Sequence, residues 1–506
     1  MRDTVSTDQA LREANAGLGV QAIRGILWSG AGQIGIQLLG FLVSILLARL
    51  LSPRDYGLVT ATSLFTGFVS CLGASGLTTV LVQRTDLTGE DLDTSFWAGL
   101  AVGSAMALLL VAGGEYAAVF FREPLIAPLL RVQAVGLVLT PLGVIHSALL
   151  LRRMDFRSLA LVDLSTVGVS GVLAIGMALT GYGVWSLVVP GVVGSALGTI
   201  VLWRQIPWRA RRRLARSSIR ALARANLAVQ IFNVLNYARG NIDYLVIGRA
   251  LGPQPLGLYY LAYTLSTIPQ TRLVPIATRV LFPALSTVQD NLPRLRTGYT
   301  RGVQYISLVT FPLLIGLAIL APEFILTVFG GRWAQAAPLV RALWIAGLLY
   351  AISTTTGSVL FSRGRADLAC WFGIGGAILM ASFVLAGARY GAMGIAIGVT
   401  AYAITSFLPI QLLTNRLINL GVGDFLRTLI PAASSSVIMA IGLLLGKRVW
   451  ETTAGASPLL ALLILVPLGA AVYLGALRLA FPGVLATLLG VVRQATRPGC
   501  SVSESC

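Results

Sequence analysis

The sequence predicts an all-α, polytopic membrane protein of about fourteen transmembrane helices, with two parallel-related six-helix lobes and a C-terminal helix pair. Three observations predict it. Only 11% of the 506 residues are charged, whereas a soluble chain carries about 25% because its surface must face water, and the mean hydropathy is +0.82. Apolar runs of roughly 18–28 residues follow one another, each long enough to cross a ~30 Å hydrocarbon core. Segments near residues 50 and 250 also repeat each other in order. Membrane-spanning strands are excluded, because they are about ten residues long and alternate in polarity.

Apolar stretches between polar breaks place the elements in order. The first six runs are 25–48, 57–81, 94–113, 125–150, 159–179 and 183–203. The next six are 224–248, 256–284, 303–321, 336–361, 368–387 and 391–413, and a final pair covers 426–445 and 458–480. The domain plan is a cytoplasmic segment 1–24, an N-lobe 25–203, a basic connector 204–223, a C-lobe 224–413, the pair 426–480 and a cytoplasmic tail 481–506. Residues 1–21 lack the apolar core of a cleavable signal peptide, so the first run is expected to act as an uncleaved anchor.

The net charge of +19 does not point to nucleic acid, because its arginines sit in short gaps between apolar runs. The stretch 204–224 holds Arg204, Arg209, Arg211, Arg212, Arg213, Arg216, Arg220 and Arg224 with no acid. Arg152, Arg153 and Arg157 follow the fourth run; Arg294, Arg296 and Arg301 follow the eighth. Short basic loops stay in the cytoplasm, so both termini are expected there. Cys71, Cys370, Cys500 and Cys506 show neither disulfide nor zinc spacing.

The repeat is the most informative feature. At a constant offset, ILLARLLSPRDYGL (45–58) matches LVIGRALGPQPLGL (245–258): Arg49 meets Arg249, Pro53 meets Pro253, and Gly57-Leu58 meets Gly257-Leu258. Gly40 pairs with Gly240 and Val80-Leu81 with Val280-Leu281; further on, Arg153 corresponds to Arg363 and Tyr182-Gly183 to Tyr390-Gly391. Six helices separate equivalent positions. An even number preserves orientation, which implies a two-fold axis along the membrane normal and a substrate route between the halves.

Polar groups inside a bilayer are costly and tend to face water-filled cavities. The seventh run carries Asn226, Gln230, Asn233, Tyr237 and Asn241 at helical spacing, and the first carries Gln33, Gln37 and Ser44. These stripes fit opposite walls of one cavity; interhelical hydrogen bonding within a lobe is the competing reading. Arg239 and Asp243 lie off the stripe, four apart, where they could pair with one another, and Gly240 beside them could bend the helix. The eighth run holds Tyr259, Tyr263, Ser266 and Gln270 on one face, Arg272 and Arg279 on another, and kinks at Pro269, Pro275 and Pro283. An arginine at this depth suits a phosphate or pyrophosphate group through paired charge-assisted hydrogen bonds. Arg279 could instead snorkel to the interface, and Arg49 and Arg249 could serve as helix-end cations. The lone His146 reads as a packed side chain. Glu115, Glu323 and Arg341 read as loop, interface or packing residues, and Asp163 as the same unless it serves coupling. GLLLGKR at 442–448 has the wrong spacing for a phosphate loop, and no HExxH, GxSxG or metal-ligand cluster occurs. No catalytic residue, metal or cofactor is expected.

Several segments together carry a family resemblance: ARLLSPRDYGLV (48–59), GLTTVLVQR (76–84), LLRRMDFR (150–157), NIDYLVIGRALGPQPLGLYYLAY (241–263), VLFPALSTVQD (280–290) and VFGGRW (328–333). They resemble the bacterial polysaccharide flippases of the multidrug/oligosaccharidyl-lipid/polysaccharide exporter superfamily, in the branch of colanic acid and teichuronic acid exporters. The resemblance covers roughly residues 20–420. It implies a V-shaped bundle in the bacterial inner membrane that carries undecaprenyl-diphosphate-linked oligosaccharide by alternating access, for capsule, exopolysaccharide or O-antigen. Partners would be that substrate, membrane lipid, and polymerase and chain-length machinery, with no nucleic acid. The implied cavity candidates are Arg239, Arg249, Arg272, Asn233, Tyr237, Asn241, Gln33, Gln37 and Gln270. The alternative is a multidrug exporter of the same superfamily, coupled to Na⁺ or H⁺ through Asp163 or Asp243. A membrane polymerase or ligase would need a large extracytoplasmic catalytic loop, and a scaffold would not need polar intramembrane faces.

Overall fold

The computed structural model describes residues 32–33, 35–72, 88–211, 216–274, 291–362, 365–453, 457–484 and 486, and over 216–232 it describes the backbone path alone. The segments 1–24 and 487–506, the stretches 76–84 and 280–290, and Pro275, Arg279 and Pro283 lie outside the described residues, as do the side chains of Asn226 and Gln230. Among the described residues the regular elements are all helical.

Two compact units divide the chain, Met1–Gly257 and Leu258–Cys506. The first contains α1 (Gly35–Leu50), α2 (Pro53–Leu72), α3 (Gly89–Phe121), α4 (Ile126–Arg152), α5 (Phe156–Leu179), α6 (Trp185–Gln205), α7 (Arg216–Leu251) and the first turn of α8 (Pro253–Ile268). Local chemistry fixes the boundaries. Proline at the first helical position starts α2, since its missing N–H is unpaired there anyway. Ahead of it, Ser52 and Asp55 cap each other: the Ser52 N–H donates to Asp55 Oδ2 at 2.9 Å and the Asp55 N–H donates to Ser52 Oγ at 3.3 Å. Thr88 and Asp91 form the same reciprocal cap on α3.

Helix α3 runs well past the expected 94–113. Its cap draws the start back to Gly89, and it stops only where Arg122 turns left-handed at φ 58°. The polar residue Glu115 does not end it, since glutamate is a good helix former, and it pairs with the exposed Arg131 of α4. At 1.5 Å per residue its 33 residues span ~50 Å, more than the hydrocarbon core requires. Asp155 caps α5 by accepting from the Ser158 N–H at 3.0 Å and from Ser158 Oγ at 2.7 Å. These bonds hold its carboxyl below the usual carboxylate range. The paired Tyr-Gly motifs have a common cause: Gly183 has φ 54° and Gly391 φ 71°, a left-handed turn that glycine enters without a Cβ penalty.

The core of this unit is a set of small clusters. Phe96 packs with Ile145 and Ala148, and Leu150 with Val162, Leu202 and Ile206. His146 is buried; its imidazole stacks on Trp203 at 5.3 Å and meets the edge of Trp208 at 5.6 Å. The packed reading of this histidine therefore holds.

The second unit continues α8 and adds α9 (Leu292–Ile319), α10 (Ala321–Val328), α11 (Ala336–Ser362), α12 (Ala366–Ala388), α13 (Gly391–Leu417), α14 (Val422–Thr453) and α15 (Pro458–Ala480). One core joins the C-terminal pair to this unit, with Leu314, Phe425, Met439, Leu465 and Tyr473 in a single cluster. Tyr473 Oη donates to the Leu308 carbonyl of α9 at 2.8 Å, and Lys447 of α14 pairs with Glu323 of α10 at low exposure.

Ten helices among the described residues are long and apolar enough to cross a membrane: α3–α6, α9 and α11–α15. Their outward faces carry large apolar side chains, such as Val119 at 77%, Val172 at 75% and Leu479 at 86% exposure, which a lipid solvent accommodates and water does not. Of the four other expected spans, α2 and α7 are made less apolar by their own polar residues (Arg54, Asp55 and the Ser and Thr residues of α2; the Asn, Arg and Asp residues of α7), and α1 and α8 are short within the described residues.

Candidate functional site

The first unit concentrates polar groups along α2 and α7, which pack side by side. Tyr237 reaches from α7 to α2, where its hydroxyl lies 3.0 Å from the Ser63 carbonyl and 3.1 Å from that of Leu64. Gly67 makes room for it: a Cβ there would fall 2.3 Å from the phenolic oxygen. The Asn241 amide donates to the Tyr237 carbonyl of its own helix at 2.8 Å. Tyr237 thus acts as an interhelical tie, while Asn233 and Asn241 remain half-exposed.

A second flank of α7 carries Asn236, Arg239 and Asp243 at spacings of three and four. The Arg239 guanidinium donates to Asn236 Oδ1 at 3.4 Å, and Asp243 is fully buried. Neither Arg239 nor Asp243 is without a partner. Arg249 lies in the last turn of α7, where a cation opposes the negative helix end, with its guanidinium 5.4 Å from the Phe120 ring centroid. Gln33, which precedes α1, is exposed; Gln37 of α1 is half-buried, and Arg49 at the far end of α1 is exposed. Asp163 is an exposed residue of α5, so the two coupling candidates stand on different helices in opposite environments.

The sequence reading missed the polar face of α2. Ser63 and Ser70 are exposed and Thr66 half-exposed on one face of the helix. Ser70 Oγ donates to the Thr66 carbonyl at 2.7 Å and Thr66 Oγ1 to the Ser63 carbonyl at 3.2 Å. The hydroxyl donors of Thr66 and Ser70 are used within the helix, which leaves oxygen lone pairs free to accept. Their spacing of three and four was a legible signal. Behind this face, Gln133 Nε2 of α4 donates to the buried Thr62 Oγ1 at 2.9 Å.

In the second unit, Gln270 and Arg272 sit on a π-helical turn, Pro269–Leu273. Pro269 offers no N–H to the α-helical ladder, and the wider turn closes with the Val274 N–H on the Pro269 carbonyl. Such turns recur at functional sites. Here the turn leaves Arg272 exposed and Gln270 half-buried. The kink expected from proline is therefore a change of helical winding. Among the described residues no cluster of His, Cys, Asp or Glu could hold a metal ion.

Residues 46–338 match the family described as "Polysaccharide biosynthesis protein". The chain is similar to the lipopolysaccharide biosynthesis protein WzxC of Escherichia coli K12, with 26% identity over 75% of this chain and 77% of the relative. It is similar to the teichuronic acid biosynthesis protein TuaB of Bacillus subtilis 168, with 28% identity over 93% and 98% of the two chains. Its fold is similar to the solved "Lipid II flippase MurJ, inward closed conformation", with a TM-score of 0.74 and 15% identity over 91% of this chain and all of that one.

Proposed function

Because the chain belongs to the polysaccharide biosynthesis protein family, we propose that it is a Wzx-type flippase of the multidrug/oligosaccharidyl-lipid/polysaccharide exporter superfamily, moving lipid-linked oligosaccharide across the bacterial cytoplasmic membrane. The observation that carries this reading is the family match, which runs through both copies of the repeat and most of the helices between. The similarity to WzxC and TuaB extends it over most of the chain.

The substrate in this reading is an undecaprenyl-diphosphate-linked repeat unit destined for exopolysaccharide, capsule or O-antigen. Its sugars need hydrogen-bond acceptors and donors at membrane depth, and its pyrophosphate needs cations in a medium where charge is costly. The exposed hydroxyls of α2, the amides of Asn233, Asn241, Gln33, Gln37 and Gln270, and the guanidiniums of Arg239, Arg249 and Arg272 are the groups we assign to those tasks. Asp163 and Asp243 are the candidates for ion coupling. Transport proceeds by alternating access, without bond making or breaking by this chain. Both termini are cytoplasmic on the arginine distribution, and the lobes are residues 25–203 and 224–413, joined by 204–223.

Mass spectrometry of undecaprenyl lipids from a deletion strain tests the proposal, with sidedness read by an impermeant probe. Repeat units trapped on the cytoplasmic leaflet and released by the intact gene are the expected result. Unchanged polymer output with no accumulation would refute it and favour the drug-exporting branch.

A further inference from the structure

A cavity of about 500 Å³ opens between α4 and α6 near the arginine-bearing end of α6. Its walls are apolar, with Leu139, Leu142, Ala196 and Ile200 inside, and Arg204 and Arg209 are its charged lining groups. No carboxylate lines it. The guanidinium of Arg209 is held in place: it lies 5.3 Å from the Trp203 ring centroid and donates to the Trp208 carbonyl at 2.9 Å. Trp203 is itself fixed by its indole N–H on the Leu142 carbonyl at 2.8 Å.

We propose that this groove binds an anionic glycerophospholipid of the phosphatidylglycerol class, its phosphate between Arg204 and Arg209 and an acyl chain along α6. From Arg204 to Ala196 is eight residues, a slot ~12 Å deep at 1.5 Å per residue. Ile200, 51% exposed, gives it an outward apolar face. Basic pockets between helices on the cytoplasmic side suit anionic headgroups, and that side follows from the orientation proposed above. A glycan-bearing lipid fits poorly. Thr199 supplies the one uncharged polar side chain apart from the Trp203 indole, and its hydroxyl donates within α6 to the Ser195 carbonyl at 2.9 Å. This is a second lipid site, separate from the polar faces of α2 and α7.

Native mass spectrometry of the purified full-length protein, titrated with phosphatidylglycerol or phosphatidylcholine, tests it without reference to membrane orientation. The wild type is expected to retain phosphatidylglycerol preferentially. Arg204→Ala with Arg209→Ala weakens that retention roughly thirty-fold, at about fivefold per cation, and leaves phosphatidylcholine unchanged. Arg204→Ala alone, which spares the Arg209 anchor, gives the fivefold part and guards against a folding defect in the double variant. Equal retention of the two lipids, or variants that bind as the wild type does, overturns the proposal. Preferential uptake of undecaprenyl phosphate over phosphatidylglycerol also overturns it, and assigns the groove to the carrier lipid.

Discussion

Gly57 and Gly257, equivalent positions of the repeat, meet each other's turns reciprocally. A Cβ on Gly57 would stand 1.7 Å from the Pro253 carbonyl oxygen, and one on Gly257 would stand 1.8 Å from the Pro53 carbonyl oxygen. A carbon approaches a carbonyl oxygen to about 3.3 Å at closest, so Gly57→Ala forces the two segments apart by roughly 1.6 Å. Overpacking of this kind costs about 1–3 kcal/mol, and the large displacement puts the cost at the upper end. The helical preference for alanine returns about 0.5–1 kcal/mol, leaving a net loss of about 2 kcal/mol. Gly240→Ala is the control: nothing lies within 4 Å of its Cβ, so it should gain the propensity term alone. Thermal melting in detergent, followed by fluorescence size exclusion, should show Gly57→Ala lower than wild type by about 4–8 °C. One separation relieves both clashes, so Gly57→Ala with Gly257→Ala should cost about what either single change costs. A fully additive double variant, or a Gly57→Ala protein as stable as Gly240→Ala, would refute the reasoning.

Three further predictions follow from individual contacts. Tyr237→Phe removes the bond to α2 and should cost about 1 kcal/mol in melting experiments; Gly67→Ala should destabilise the wild type but be tolerated once Tyr237 is alanine, as a double-mutant cycle will read. Arg239→Ala and Arg272→Ala should each lower polymer export at wild-type protein levels, measured as surface polysaccharide; normal output from both would remove them from the substrate path. Asp155→Ala should cost about 1 kcal/mol as a lost helix cap. Since the folded-state carboxyl titrates below its unfolded value, its contribution is complete above the unfolded value near pH 4 and is lost as pH falls through the folded one, so the variant and the wild type should converge in stability in acid.

Some of this protein was legible in its residues alone. A chain with so few charges and such long apolar runs has no choice but helices, because a bilayer offers the backbone no partner outside its own hydrogen bonds. The repeat was legible because equivalent turns need equivalent residues: Gly183 and Gly391 both adopt a left-handed φ that side-chain-bearing residues avoid. The packed role of His146 was readable from its single occurrence among apolar neighbours.

Tertiary structure decided the rest. Whether Tyr237 faced a cavity or a helix depended on Gly67 of α2 leaving room for its ring, and no pattern within α7 carries that information. Hydropathy scores Glu115 as a break, yet α3 runs past it, and only the structure shows its pairing with Arg131 of α4. The close approach of Pro53 and Pro253 required two segments, two hundred positions apart, to cross at their glycines. Periodicity reports which face of a helix is polar, because that is a property of one segment; what the face touches depends on the shape of another segment.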